Sequence, residues 1–72
     1  MSPKSLRFNA RQIIKIIETK GFSLSRQSGS HMIFHNKKGV RITIPNHMSK
    51  IIHPKIIKNI LRDAEIEEES LK

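Results

Sequence analysis

The chain has 72 residues, no cysteine, and 14 basic against six acidic side chains, which gives a formal net charge of +8. A chain of this length forms one small domain, and without cysteine it has neither disulfides nor thiolate metal ligands. No apolar run approaches the roughly 20 residues that span a bilayer, so we expect a cytoplasmic protein that does not interact with membranes.

The basic side chains are concentrated in the body of the chain. Residues 1–62 hold 13 basic side chains and one acidic one, whereas residues 63–72 hold one basic and five acidic side chains. A basic surface of this density attracts phosphate polymers through its long-range field and through counterion release. The charge therefore favours a nucleic-acid partner, with a merely solvated surface as the alternative.

The first half of the chain is predicted to form an arm, a helix and then strands. We expect residues 1–8 to be a flexible N-terminal arm and the helix to cover about residues 10–20. Asn9 and Gln12 have the spacing of a capping box, and Gly21 suits the left-handed position after a helix. Alternating apolar residues predict three strands, whose core-facing members are Phe22 and Leu24, then Met32 and Phe34, then Val40, Ile42 and Ile44.

A second helix is predicted over about residues 54–65, followed by an acidic C-terminal tail over residues 66–72. Pro54 suits its first position, and its apolar stripe consists of Ile56, Ile57, Ile60 and Leu61. The resulting α-β-β-β-α order predicts an α+β two-layer sandwich, with both helices on one face of an antiparallel sheet. This is the topology of the double-stranded RNA-binding domain, here as a single domain over residues 9–65.

Strand pairing predicts where His31 lies. Directly paired residues share a face, so pairing Phe34 with Ile42 places His31 opposite Pro45 on the helix-free face. The connecting loop is then residues 37–39, and its third position, Gly39, is where a type I turn followed by a bulge requires left-handed backbone.

The same reasoning applies to the first hairpin. We expect Leu24 opposite Phe34 and Gln27 opposite His31, joined by a three-residue loop over residues 28–30. This pairing also leaves His31 on the face that the helices do not cover.

The other histidines have different predicted positions. His35 lies four residues beyond His31, about 13 Å away at roughly 3.3 Å per residue, which is too far for direct proton transfer. His47 follows the third strand closely enough to approach the His31 end of the sheet, and we expect His53, near the second helix, to be structural. Their spacing matches no standard zinc pattern, so we expect no metal site.

Residues 26–31 read Arg-Gln-Ser-Gly-Ser-His and are followed by Phe34, Gly39, Pro45 and His47. This pattern resembles the HicA family of toxin ribonucleases over about residues 9–66. The resemblance implies a double-stranded RNA-binding-domain-like fold, cleavage of messenger RNA, and neutralisation by a HicB-like antitoxin protein. It also assigns catalysis to His31. The chain departs from the family pattern at His53-Pro54, where Gly-Thr is usual, and at Glu65, where Gly is usual.

The chemistry that RNA cleavage needs is compatible with these residues. RNA carries its own nucleophile, the 2′-hydroxyl, and a histidine can take or give a proton near cell pH without a metal or another cofactor. We therefore expect His31 to be the general acid or base, with Ser30 and His47 as accessory candidates. The candidate phosphate contacts are Arg26, Lys37, Lys38, Arg41 and Lys50.

Two other functions fit the same sequence. The fold by itself favours a non-catalytic RNA-binding module. A protein partner that covers the helix-free face is the other alternative, because Ile33 puts an apolar residue on that face.

Overall fold

The computed structural model describes residues 7–46 and 50–67. The elements are α1 (Ala10–Glu18), β1 (Ser23–Ser28), β2 (His31–His35), β3 (Arg41–Pro45) and α2 (Pro54–Asp63). The strands form one antiparallel sheet in the order β1-β2-β3. The predicted α-β-β-β-α order and α+β class are thus confirmed.

Both helices contribute to one apolar core on a single face of the sheet. The buried side chains are Ala10, Ile13 and Ile17 from α1, Ile57, Ile60 and Leu61 from α2, and Met32, Phe34, Ile42 and Ile44 from the sheet. No polar or charged side chain is buried in the described parts of the chain. Each fully buried isoleucine or leucine contributes roughly 1.5–3 kcal/mol, so this layer holds the domain together. The opposite face of the sheet, called the open face below, carries His31, Ile33, His35, Arg41, Thr43 and Pro45.

The start of α1 has the predicted capping box. The Gln12 N–H donates to Asn9 Oδ1 and the Asn9 N–H donates to Gln12 Oε1, both at 2.9 Å. The helix ends at Glu18, two residues before the predicted end, because the next residues form the cap. There the Gly21 N–H donates to the Glu18 carbonyl and the Phe22 N–H donates to the Ile17 carbonyl, which is the Schellman pattern.

The start of α2 is capped by a histidine. The Lys55 N–H donates to His53 Nδ1 at 3.0 Å, and Pro54 occupies the first turn of the helix. The imidazole therefore replaces the Ser, Thr, Asp or Asn side chain that usually accepts this bond. The structural role predicted for His53 is confirmed.

The end of α2 repeats the Schellman pattern without a glycine. The Glu65 N–H donates to the Arg62 carbonyl and the Ile66 N–H donates to the Leu61 carbonyl. Glu65 takes a left-handed φ of 60°, so the helix ends at Asp63 rather than at the predicted residue 65. Ile66 is only 7% exposed. The residue with which the predicted tail begins is therefore part of the core.

The hairpin between β2 and β3 follows the prediction. Gly39 has a φ of 84°, and the Asn36 carboxamide accepts bonds from the N–H groups of Lys38 and Val40. The predicted pairs of His31 with Pro45 and of Phe34 with Ile42 are confirmed, and Ile33 pairs with Thr43 between them.

The hairpin between β1 and β2 follows the prediction only at its open end. Leu24 lies opposite Phe34 as expected, but a bulge at Ser25 shifts the remaining register by one residue. The prediction of Gln27 opposite His31 is therefore wrong, because Ser28 holds that place. The loop has two residues, and Gly29 takes a φ of 59°, as the first position of a type II′ turn requires.

Strand β1 differs from the prediction in its burial as well. Leu24 was expected in the core, but it is 53% exposed, and every residue of β1 is exposed. The helices cover the core-facing residues of β2 and β3 and leave the residues of β1 outside the core.

The segments that precede the two helices pair with each other. The Ile52 N–H donates to the Phe8 carbonyl at 2.8 Å, and Asn9 forms an antiparallel bridge with Ile51. Phe8 is partly buried against the core, so the last residue of the predicted arm belongs to the packed domain. Neither helix in the described ranges has the length and apolar character to cross a membrane.

Candidate active site

His31 is the first residue of β2 and lies at one end of the open face. It is exposed, and its neighbours across the sheet are Ser28 on β1 and Pro45 on β3. The imidazole makes no hydrogen bond or ion pair with any other described residue. Its ring nitrogens are therefore available to a ligand.

The backbone beside His31 is anchored from both neighbouring strands. Ser30 is the second residue of the type II′ turn, and its carbonyl accepts a 2.6 Å hydrogen bond from the Asn46 N–H. The Ser30 hydroxyl makes no hydrogen bond within the described part of the chain. His47, the other accessory candidate, lies outside the described residues. The turn thus fixes the backbone position of His31, while the His31 side chain bonds no other described residue.

The bulge at Ser25 decides which way Arg26 faces. With the predicted register, Arg26 would lie opposite Met32 and point toward the helices. The bulge places it opposite Ile33 instead, on the same face as His31. Bulges redirect side chains in this way, and diagonal neighbours on a sheet have separations of about 7–8 Å. Arg26 is therefore a cationic neighbour of His31 across the β1–β2 pair.

Most of the other predicted phosphate contacts lie far from His31. Arg41 is opposite His35 at the other end of the open face, about 13 Å along β2, and Lys37 and Lys38 lie in the loop beyond it. Lys50 is exposed and precedes Ile51 near the start of α2. The structure therefore brings together His31 and Arg26, and separates both from Lys37, Lys38 and Arg41.

Lys20, which was not among the predicted phosphate contacts, lies beside Lys37 and Lys38. Lys20, at the end of α1, lines a cleft together with Lys37 and Lys38, and we call these three residues the lysine cluster. An adjacent cleft is lined by Lys20 and Lys38 with the carboxylates Asp63 and Glu65. No ion pair within 4.0 Å joins these groups among the residues that the structure describes. The position of Lys20 after a helix carries no sequence signal for this cluster.

An apolar groove adjoins the His31 end of the sheet. It is lined by Pro45, Ile51, Ile52 and Ile56, with Lys50 and His53 beside them. Ile51 is 49% exposed and Ile56 is 40% exposed. Ile56, a member of the predicted apolar stripe of α2, therefore lies outside the core and faces the groove. The one sequence signal for the groove is the pair of consecutive isoleucines at 51 and 52. Adjacent side chains rarely face the same way, so both are rarely buried in one core.

The three histidines in the described ranges do not converge on a metal site. His31 and His35 lie at opposite ends of the open face, and His53 caps α2. Within residues 7–46 and 50–67, no three histidine or carboxylate side chains lie close enough together to hold a metal ion.

Comparison with known proteins gives a family match over most of the chain. A family model described as the HicA toxin of bacterial toxin–antitoxin systems matches residues 10–66, from the first residue of α1 to the buried residue that follows α2. No curated protein matches the chain significantly. The match covers both helices and all three strands, which is well over half of the chain, so the chain belongs to the HicA toxin family.

Proposed function

We propose that this toxin is a metal-independent endoribonuclease that cleaves messenger RNA with His31 as general acid or base. One observation carries the proposal: an exposed, unpaired imidazole at the start of β2 shares the open face with Arg26. Family membership supports the toxin role and implies a HicB-type antitoxin as protein partner.

The proposed reaction uses a nucleophile within the substrate. The ribose 2′-oxygen attacks the adjacent phosphorus, a new P–O bond forms, and the bond to the 5′-oxygen of the next nucleotide breaks. The products are a 2′,3′-cyclic phosphate and a 5′-hydroxyl. A neutral His31 takes the 2′ proton, or a protonated His31 gives a proton to the leaving oxygen. His47 is the accessory candidate for the other proton transfer, and Ser30 is the candidate for orienting His31 or the phosphate.

Charge development gives the cations their proposed role. The phosphate gains negative charge as the 2′-oxygen attacks, and Arg26 lies across the strand pair from His31, where it can stabilise that charge. Arg41, Lys37 and Lys38 continue the positive surface for about 13 Å and beyond, and Lys50 adds charge near the start of α2. Neighbouring phosphates of a bound strand therefore have cations to contact on both sides of the scissile bond.

The catalytic assignment is tested with a matched pair of histidine variants. His31→Ala and His35→Ala change the same residue type on the same strand and face, at opposite ends. In a chelator-containing buffer, we expect His31→Ala to lower RNA cleavage at least about 100-fold, the low end of the usual contribution of a general acid or base. His35→Ala is expected to stay within a few fold of the wild type. A folded His31→Ala protein that cleaves RNA and arrests bacterial growth like the wild type would refute the assignment.

The lysine cluster supports the alternative of a non-catalytic RNA-binding module, because it lies far from His31. Salt-sensitive binding of labelled RNA without any cleavage product would favour that function. Each phosphate contact to single-stranded RNA contributes about 0.7 to the slope of log affinity against log salt. Replacing both Lys37 and Lys38 by alanine is therefore expected to reduce the slope by about 1.4 in either function, whereas Leu24→Ser is expected to leave it unchanged.

A further inference from the structure

We propose that the apolar groove lined by Pro45, Ile51, Ile52 and Ile56 is the docking site for the antitoxin, which fills it with an apolar side chain flanked by carboxylates. The existence of an antitoxin partner follows from family membership. The consequence for catalysis, described below, rests on the proposed function.

The apolar character of the groove calls for a partner. Three large apolar side chains among the described residues are exposed, and two of these three, Ile51 and Ile56, line this one groove. Exposed apolar side chains that cluster together, unlike ones scattered singly, favour an interaction surface. Leu24, the third, stands alone on the edge strand and does not form such a surface.

The groove is also held in shape before anything binds. One wall is fixed by the bridge between Ile51 and Asn9, and the other by the first turn of α2, which the His53 imidazole caps. A preformed site loses little conformational entropy on binding, which favours affinity. A partner side chain therefore meets a pocket that already exists.

The charge around the groove selects the chemistry of the partner. Lys50 lines the groove and Lys55 is exposed in the adjoining turn of α2, whereas no described carboxylate lines it. A second copy of this chain carries the same net charge of +8 and is repelled. Opposite potentials accelerate encounter between partners, so an acidic segment of the antitoxin fits best.

The position of the groove explains how docking would neutralise the toxin. Pro45 lines the groove and lies directly opposite His31 in the β2–β3 pair. A chain that covers Pro45 therefore lies against the His31 end of the open face and excludes an RNA strand from it.

The test measures binding of the purified HicB-type antitoxin. The toxin is the full chain carrying His31→Ala, and Ile51→Ser and Ile56→Ser are added singly and together. Truncating central apolar anchors of an interface typically weakens binding strongly, so we expect the double variant to raise Kd at least about 30-fold. The matched control, Leu24→Ser, removes an equally exposed apolar side chain elsewhere and is expected to change Kd less than about threefold.

Several outcomes would overturn the proposal. Unchanged Kd in both folded isoleucine variants would do so, as would a loss confined to Leu24→Ser. Thermal melts verify folding, and Ile56→Ser alone decides the matter if Ile51→Ser disturbs the bridge to Asn9. Binding to anionic lipid vesicles that depends on both isoleucines, with antitoxin binding unaffected, would assign the groove to a membrane instead.

An RNA-protection assay separates this proposal from the proposed function. The antitoxin is expected to block RNA cleavage by the toxin with an intact His31, and to lose that effect on the Ile51→Ser, Ile56→Ser double variant. If the wild-type toxin cleaves no RNA, the nuclease function fails, while the binding measurements still decide where the antitoxin docks.

Discussion

Replacing Glu65 by glycine is expected to stabilise this toxin. Both helices end in the same Schellman pattern, and α1 has Gly21 with a φ of 88° at the left-handed position. In α2 the equivalent residue is Glu65, with a φ of 60°. The C-terminal ends of the two helices therefore have the same backbone geometry. At α1 the left-handed residue is a glycine, whereas at α2 it is a glutamate, which carries a Cβ.

The size of the effect follows from three contributions. Left-handed backbone costs a residue with a Cβ roughly 1–2 kcal/mol, which glycine avoids. Glycine gives back roughly 0.5–1 kcal/mol because it is freer in the unfolded chain. Removing a carboxylate beside the negative end of the helix dipole adds a smaller gain. The sum is a stabilisation of about 1 kcal/mol, or a rise in Tm of about 4–8 °C for a domain of this size.

Urea and thermal unfolding followed by circular dichroism measure this change. Glu65→Ala removes the carboxylate but keeps the Cβ, and Glu65→Gln removes only the charge, so the two variants isolate the backbone contribution. We expect the glycine variant to exceed the alanine variant by about 1 kcal/mol. Equal stability of the glycine and alanine variants would show that the left-handed backbone at this position costs nothing, and the reasoning would fail.

Three further changes test other parts of the fold. His53→Ala removes the acceptor for the Lys55 N–H and is expected to cost about 1 kcal/mol in urea unfolding, whereas His53→Asp retains a cap and the stability; equal losses in both would contradict the capping role. Gly29→Ala is expected to lower the free energy of unfolding by about 1 kcal/mol although no atom lies within 4 Å of the new Cβ, because φ is positive there; an unchanged melt would count against the type II′ turn. Deleting Ser25 removes the bulge but leaves Arg26 opposite Ile33. The deletion variant is therefore expected to cleave RNA as the wild type does. A folded deletion variant that has lost RNA cleavage would show that the bulge does more than orient Arg26.

Local sequence chemistry was sufficient to predict the elements and one hairpin. The Asn9–Gln12 box starts α1, and alternation of apolar residues marks β2 and β3. The register of β2 and β3 followed from parity and from Gly39, so the exposure of His31 on the open face was predictable. These signals act between residues that are near in the chain, which is why the sequence displays them.

The first hairpin shows where such reasoning ends. Ser25 and its neighbours carry no pattern that distinguishes a bulge from a regular strand, and β1 has no buried residue that would have enforced one register. The placement of Arg26 on the same face as His31 therefore emerged only from the folded sheet.

The sequence by itself determined the class of fold, the basic body and the exposed histidine, because periodicity, capping and charge are properties of short segments. Only the tertiary structure decided that Lys20 joins Lys37 and Lys38, and that Ile51 and Ile56 meet beside Pro45. Lys20 is distant in the chain from Lys37 and Lys38. Pro45, Ile51 and Ile56 are closer in sequence, but their meeting depends on how α2 packs over the sheet, which no local pattern records.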